Sequence, residues 1–317
     1  YAPTPLVKLN KLNDELKFKN IYYKDEDKRF ELKSFKALGG AFAVYKIASE
    51  KKNITVSTAT AGNHGRSVAW GAQRLGLKCK IFISEFVSES RAEAMRNLDA
   101  EVIRVKGNYD NSLKECIEQS NKNNWEIVQD VSWEGYKEVP KLIMAGYTIM
   151  VKEIIDEINK NSITHVFLQA GVGGMAAAMI AGFAKLSENI PQFIIIEPEN
   201  ADCVFQSIKN NKPTTVDIKK ETVMGGMSCG DVSSIAWEIL KNSANYCLTI
   251  PDEAISTAVA LLAEKRLSNE KIIGGECAVP GVIALIGSFN NKEYLDKLKL
   301  NSESNVLLFG CEGLTDD

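Results

Sequence analysis

The fold is decided by the stretch Ser34-Phe35-Lys36-Ala37-Leu38-Gly39-Gly40, which is followed at a short distance by Thr60-Ala61-Gly62-Asn63-His64-Gly65. Ser34 is a good helix N-cap and an apolar helical pattern runs beyond it, so we expect Lys36 in the first helical turn. The helix dipole disfavours an ammonium group there. A lysine so placed can bond covalently to a carbonyl compound and later return as a neutral base.

A lysine alone proves little in a chain with 38 lysine and arginine residues, because most of them are solvated surface charges. The second stretch strengthens the case. It lies between a β-branched strand pattern at 54–58 and a helix pattern at 66–75. Its small residues let backbone N–H groups approach a flat ligand or a carboxylate, and Asn63 supplies an amide for a ring hydroxyl.

A third turn, Gly171-Val172-Gly173-Gly174, joins a strand pattern at 164–169 to a helix pattern at 175–186. Backbone N–H groups at such a helix start form a cradle for an anion. The turn also imitates a dinucleotide-binding fold, with Glu197 where a ribose hydroxyl would bind. In that alternative the third glycine of the motif is replaced by Ala176, and Lys36 and Asn63 have no role.

The three turns, in this order, resemble those of the fold-type II pyridoxal-phosphate enzymes, which include threonine and serine dehydratases, cysteine synthase and the β chain of tryptophan synthase. The likeness covers nearly the whole chain. Within this superfamily the chain is most similar to the diaminopropionate ammonia-lyases. That similarity is carried by the stretches Gly62-Asn63-His64-Gly65-Arg66, Asn108-Tyr109-Asp110, Gln129-Asp130, Trp133-Glu134-Gly135-Tyr136, Gln169-Ala170-Gly171-Val172-Gly173 and Glu312-Gly313-Leu314-Thr315-Asp316.

The resemblance implies a role for each matching residue. Lys36 is implied to be the catalytic lysine that forms a Schiff base with pyridoxal phosphate, and Cys311 to face the pyridine nitrogen. The implied cofactor-binding residues are Lys36, Asn63, Gly171, Val172, Gly173, Gly174 and Cys311. The implied substrate-binding residues are Thr60, Ala61, Gly62, His64 and Asp130.

Asp130 has a second implied role in catalysis. An acidic residue at its position is typical of the lyase subfamily and is generally lacking in the dehydratases. Its carboxylate can hold the second ammonium group of a diamino acid, and such a charge-assisted bond contributes about 1.5–3 kcal/mol. The implied reaction is the α,β-elimination of 2,3-diaminopropionate to pyruvate and ammonia.

Ala61 departs from the lyase pattern, which has an acidic residue immediately before Gly-Asn-His-Gly as the base for the D-substrate. Because an alanine cannot accept a proton, we expect a preference for the L-isomer. Ala61 is also dehydratase-like, so an L-serine or L-threonine dehydratase is the alternative within the family. A non-catalytic binding protein on the same scaffold is a further alternative.

Composition and charge are consistent with a metabolic enzyme. The net charge is -3 with both signs interspersed, so we expect no nucleic-acid or membrane partner. The first residues lack a signal-peptide pattern, and seven cysteines without a C-x-x-C pair indicate reduced thiols. We therefore expect a cytoplasmic enzyme acting on a small amino acid, with no metal site and, by analogy, a homodimer.

Alternating strand and helix patterns predict parallel sheets. The expected fold class is α/β, with two open, twisted, mostly parallel sheets flanked by helices. The fold family implies a small domain at 53–130, inserted in a large cofactor-binding domain made of 1–52 and 131–317.

Overall fold

The structure, a computed structural model, describes residues 1–158 and 162–314. Thr315 and Asp316, which belong to the last stretch quoted above, lie outside the described residues. The strands are β1 Leu6–Lys8, β2 Asn20–Asp25, β3 Thr55–Ala59, β4 Lys78–Ser84, β5 Ala100–Val105, β6 Glu126–Ile127, β7 His165–Gln169, β8 Gln192–Pro198, β9 Tyr246–Ile250 and β10 Asn305–Gly310.

The strands alternate with helices, as the sequence pattern predicts. The α-helices are α1 Asn10–Leu16, α2 Lys36–Glu50, α3 Asn63–Arg74, α4 Glu89–Arg96, α5 Tyr109–Asn123, α6 Glu138–Tyr147, α7 Ile149–Glu157, α8 Gly174–Leu186, α9 Cys203–Lys209, α10 Ser234–Ser243, α11 Ile255–Ala263, α12 Pro280–Phe289 and α13 Lys292–Lys297. Throughout 1–158 and 162–314, each helix is too short or too polar to cross a membrane.

The chain divides into two compact units, and the larger unit consists of Tyr1–Lys33 and Thr148–Leu314. Its six strands have the order β1-β2-β10-β7-β8-β9. Only β1 runs antiparallel to its neighbour, and the other pairs are parallel. The central strands β7 and β10 are buried along their whole length, as expected for strands covered on both faces.

The smaller unit consists of Ser34–Tyr147 and contains a parallel sheet of order β5-β4-β3-β6. Helix α5 covers this sheet, where Cys116 is buried in a core with Ala59 and Phe82. The two sheets confirm the expected α/β class with mostly parallel strands.

The boundaries of the smaller unit differ from the predicted small domain at 53–130, which was placed on the fold family alone. The unit begins at Ser34 and ends at Tyr147 because α2 and α6 pack within it. A side chain at Gly39 in α2 would overlap Tyr147 and Ile143, with its Cβ 2.4 Å from the Tyr147 ring. Lys36 therefore belongs to the smaller unit, whereas the predicted boundaries assign it to the large domain.

Candidate functional site

Lys36 is the first residue of α2, one residue later than the predicted helix start. Ser34 does not occupy the N-cap position, but its hydroxyl oxygen accepts a hydrogen bond from the Lys36 backbone N–H at 3.3 Å. Ser67 on α3 adds a second anchor. Its buried hydroxyl donates to the Lys36 carbonyl at 2.6 Å and accepts from the Ala41 N–H at 3.2 Å. The first turn of α2 is thereby fixed to α3.

The Lys36 side chain forms an ion pair with Asp130 in the smaller unit. Nζ of Lys36 donates a hydrogen bond to Oδ2 of Asp130, and the two side chains are 25% and 12% exposed. His64 lies beside them, with Nδ1 3.7 Å from the same Oδ2 atom. Three residues that the sequence singled out are thus neighbours in the structure.

The Asp130 carboxyl is ionised in this environment. Burial by itself would raise its pKa, but the charge of Lys36 and its hydrogen bond to the carboxylate bring the pKa well below its usual range. Burial also lowers the pKa of His64, and the Lys36 charge lowers it further, although Asp130 opposes the shift. We therefore take Lys36 as the group that keeps Asp130 ionised, beside a neutral imidazole.

The tautomer of His64 follows from its partner. Nε2 lies 2.7 Å from the carbonyl oxygen of Val128, and a carbonyl can only accept, so Nε2 carries the proton. In the neutral ring Nδ1 is then an acceptor. This buried nitrogen has no hydrogen-bond partner in the structure.

A network of side-chain to backbone bonds holds the segment that presents Asp130. Tyr136 donates to the Ile127 carbonyl at 2.7 Å and accepts from the Gln129 N–H at 2.9 Å. Trp133 stacks on the Tyr136 ring with centroids 4.2 Å apart. The two aromatic residues therefore support the chain on which Asp130 lies.

Gln129 completes this support. Its side chain is fully buried and pairs with both backbone groups of Ala59 at the end of β3, with each bond 3.0 Å long. Thr58 and Tyr109 bond the same amide at 2.8 and 2.7 Å. The polar stretch around Asp130 is thus tied to the strand that leads into the turn at 60–65.

The turn at 60–65 is organised by Thr60. Its buried hydroxyl oxygen accepts hydrogen bonds from the N–H groups of Gly62 and Gly65 at 2.9 and 3.1 Å. Asn63 is half-buried and begins α3, three residues earlier than the predicted helix. Ala61 is exposed, and the Arg91 guanidinium donates to its carbonyl at 3.3 Å.

Sequence reasoning missed Tyr147, which lies close to Lys36. Its ring packs on Phe35 with centroids 4.7 Å apart, and Lys36 Nζ is 5.9 Å from the ring centroid. The hydroxyl is buried, and burial raises the pKa of Tyr147 well above its usual value. Ser67 was missed as well. Both residues reach Lys36 only through the packing of helices, which no local motif reveals.

The glycine turn of the larger unit leads into α8. Gly173 has φ 87°, which favours glycine, and a Cβ at Gly171 would lie 2.9 Å from the sulfur of Cys229. The first turn of α8 is Gly174-Met175-Ala176-Ala177, without a charged side chain. Because the first N–H groups of a helix have no intrahelical acceptor, this end can bind an anion.

Two other candidate residues lie in the larger unit. Cys311 follows β10, and its thiol donates to the Cys277 carbonyl at 3.1 Å. Glu197 is buried and accepts hydrogen bonds from the N–H groups of Val204 and Phe205 at 2.8 and 2.7 Å. Its carboxyl is therefore committed to the start of α9, which argues against the dinucleotide alternative.

The comparisons with known proteins agree with this fold. The family model described as "Pyridoxal-phosphate dependent enzyme" matches residues 1–311, and the chain belongs to this family. Its cofactor is pyridoxal phosphate.

The chain is also similar to individual proteins of known name. The chain is 35% identical to diaminopropionate ammonia-lyase of Escherichia coli strain K12 over 340 residues, which cover all of this chain and 85% of the relative. The crystal structure of the E. coli enzyme with an aminoacrylate–PLP azomethine reaction intermediate matches with a TM-score of 0.92 at 35% identity, covering 100% of this chain and 85% of that one. Its complex with D-serine matches with a TM-score of 0.93 at 34% identity, covering 100% and 86%.

The described residues fit pyridoxal phosphate. In the smaller unit a lysine at a helix start is accompanied by a buried acceptor, Nδ1 of His64, that has no partner among the described residues. In the larger unit the glycine turn precedes an uncharged helix start that suits a phosphate. The N–H groups at the start of α8 would hold the phosphate, and the amine of Lys36 would bond to the aldehyde.

Proposed function

We propose that the chain catalyses the α,β-elimination of 2,3-diaminopropionate, which yields pyruvate and ammonia. The observation that carries the proposal is the ionised Asp130 carboxylate paired with the ammonium of Lys36. A site that binds one primary ammonium in this way suits a substrate that carries a second one. The 35% identity to the E. coli diaminopropionate ammonia-lyase supports the same choice.

Lys36 and Asp130 have different roles in the proposed reaction. Bound pyridoxal phosphate supplies the conjugated ring that takes up the charge left on the substrate when the Cα proton is removed. The Lys36 amine removes that proton. Asp130 holds the β-nitrogen as an ammonium, so that it leaves as ammonia with the electrons of the broken C–N bond. The released 2-aminoacrylate hydrolyses to pyruvate and a second ammonia.

The cofactor and substrate contacts of the other residues follow the same proposal. The backbone N–H groups of 171–174 bind the phosphate, Asn63 bonds the ring hydroxyl, and Cys311 contacts the pyridine nitrogen. The turn that Thr60 organises, with Ala61 and Gly62, binds the substrate carboxylate. We also propose that the predicted large domain, made of 1–52 and 131–317, is the cofactor-binding part of the chain.

The preference for the L-isomer also remains a proposal. Ala61 lies exposed on the turn and its methyl group cannot accept a proton. Lys36 is then the base, and it serves the L-isomer. Equal turnover of the D- and L-isomers would contradict this preference, and an Ala61→Asp variant should gain D-isomer activity without losing L-isomer activity.

Lys36→Ala tests the role of the lysine. The wild-type chain purified with pyridoxal phosphate should show a near-visible absorbance band that borohydride abolishes, and Lys36→Ala should lack that band. Lys33→Ala is the matched control, since it removes a lysine three residues away and should keep the band. An unchanged band in Lys36→Ala would overturn the proposal.

Turnover of three substrates separates the lyase from the dehydratase alternative. We expect kcat/KM for L-2,3-diaminopropionate to exceed that for L-serine and for L-threonine. A preference for a hydroxy amino acid would instead support a dehydratase.

The location and assembly of the enzyme are part of the proposal. The seven cysteines all lie among the described residues and form no disulfide, which is typical of a cytoplasmic enzyme, and the products fit amino-acid catabolism. By analogy with its family we propose a homodimer. Light scattering that gives the mass of a single chain would contradict the dimer.

A further inference from the structure

His64 carries a hydrogen-bond acceptor that no described residue of the chain uses. Nδ1 is buried and without a partner, while Nε2 is fixed by its bond of 2.7 Å to the Val128 carbonyl. Leaving a buried acceptor unpaired costs free energy, so a ligand that supplies a donor is expected there.

The position of Nδ1 indicates what kind of donor fits. It lies 3.7 Å from Oδ2 of Asp130, which accepts a hydrogen bond from the Lys36 ammonium. In the described chain, two charged groups act on the pKa of His64, and these are Asp130 and Lys36. Two acceptors at this separation can share one cationic donor, because an ammonium carries three N–H groups.

From this geometry we infer that Nδ1 of His64 is a specificity-determining acceptor for the second ammonium group of the substrate, beside Asp130. The inference rests on the proposed function and names a further residue of the same site. Whether Lys36 would hold the cofactor or act as the neutral base, it would carry no ammonium to occupy Asp130. A substrate ammonium then reaches both the carboxylate and the imidazole, whereas the hydroxyl of serine has a single proton to donate and no charge.

Two substitutions separate this role from a structural one. His64→Gln places an amide nitrogen near the position of Nε2, which retains the bond to Val128 but removes the acceptor near Asp130. His64→Asn places an amide oxygen near the position of Nδ1, which retains the acceptor but loses the bond to Val128. A purely structural histidine would tolerate the first change better than the second.

The ratio of kcat/KM for L-2,3-diaminopropionate to that for L-serine is the first readout. We expect His64→Gln to lower this ratio by about tenfold or more, as for a lost hydrogen bond to a charged group, and His64→Asn to keep it within about threefold. The opposite order would overturn the inference. If the wild-type chain itself prefers serine, the proposed function fails instead.

Imidazole ¹⁵N NMR gives a readout that does not depend on turnover. The chain has two histidines, and His165 serves as an internal reference because Nδ1 lies 2.7 Å from the Thr164 hydroxyl and Nε2 lies 2.9 Å from the Leu298 carbonyl. The protein used is Lys36→Ala with pyridoxal phosphate, which lacks the base and does not turn over. The probes are L-2,3-diaminopropionate and L-alanine.

We expect diaminopropionate to move the His64 Nδ1 resonance away from the position of a free lone pair, and L-alanine to leave it in place. The His165 resonances should not move with either amino acid. A His64 signal that responds equally to both amino acids, or to neither, would contradict the inference even if the lyase activity is confirmed.

Discussion

The hydroxyl of Ser67 donates a hydrogen bond of 2.6 Å to the backbone carbonyl of Lys36, and the same oxygen accepts the N–H of Ala41 at 3.2 Å. A side chain of α3 is thereby inserted into the hydrogen-bond ladder of α2, one turn from the proposed catalytic amine. Since Ser67 is buried, its hydroxyl links α3 to the first turn of α2.

Ser67→Ala should impair Lys36 without touching substrate. The variant loses these two hydrogen bonds, so we expect the free energy of unfolding to fall by about 1–3 kcal/mol and kcat to fall by about tenfold. Urea unfolding and steady-state kinetics measure the two effects. Ser49→Ala is the matched control on α2, because its hydroxyl bonds only the exposed Lys46 carbonyl. Equal losses in both variants would argue against the positioning role.

Tyr136→Phe should weaken the presentation of Asp130. The variant loses the bonds of the hydroxyl to Ile127 and Gln129 but keeps the ring that stacks on Trp133. We expect KM for L-2,3-diaminopropionate to rise by about fivefold or more. The free energy of unfolding should fall by about 1–2 kcal/mol. A variant with lower stability but an unchanged KM would show that Tyr136 supports the fold without orienting Asp130.

The sequence predicted most of the sheets because their strands are apolar and bounded by turns. The strand pattern at 164–169 differs from β7 His165–Gln169 by one residue. The sequence pattern did not indicate β2, because this strand ends in the charged residues Lys24 and Asp25. Both residues are buried in the structure. Lys24 is tolerated there because it pairs with Glu153 at 2.6 Å and donates to the Thr4 carbonyl. A partner more than a hundred residues away cannot be inferred from local periodicity.

The residues of the candidate site also differ in whether the sequence predicts them. Lys36 and Asp130 stand in short stretches whose residue types point to their chemistry, and the structure places the two side chains in contact. The support given by Ser67 and Tyr147 depends on how α2 packs on α3 and α6, which is set by long-range packing. The roles themselves remain predictions until the variants are measured.

Asp130→Asn should change how stability depends on acid. The folded-state pKa of Asp130 is lowered, so the carboxylate stabilises the protein above the unfolded-state pKa of about 4, and this contribution is lost as the pH falls further. We expect the stability difference between wild type and Asp130→Asn to shrink as the pH falls from about 5 to about 3. This range spans the unfolded-state pKa of about 4. Asp156→Asn, which breaks an exposed pair with Lys152, should show a small and flat difference.

Glu197→Gln should change the stability profile between about pH 4 and about pH 8. Burial raises the pKa of Glu197 to about 8, although the N–H groups of Val204 and Phe205 oppose the shift. The folded state therefore retains a proton that the unfolded chain releases near pH 4, and the free energy of unfolding falls as the pH rises from about 4 to about 8. Glutamine does not titrate, so this slope should be absent from the variant.

Urea unfolding of wild type and Glu197→Gln at closely spaced pH values measures that slope directly. The exposed neighbour Glu199 provides the control, because Glu199→Gln should keep the wild-type slope. The stability of Glu197→Gln relative to wild type should therefore increase as the pH rises toward 8 and then level off. A difference that stays constant over this range would mean that the carboxylate is already ionised at the start of α9, held by its two backbone N–H donors.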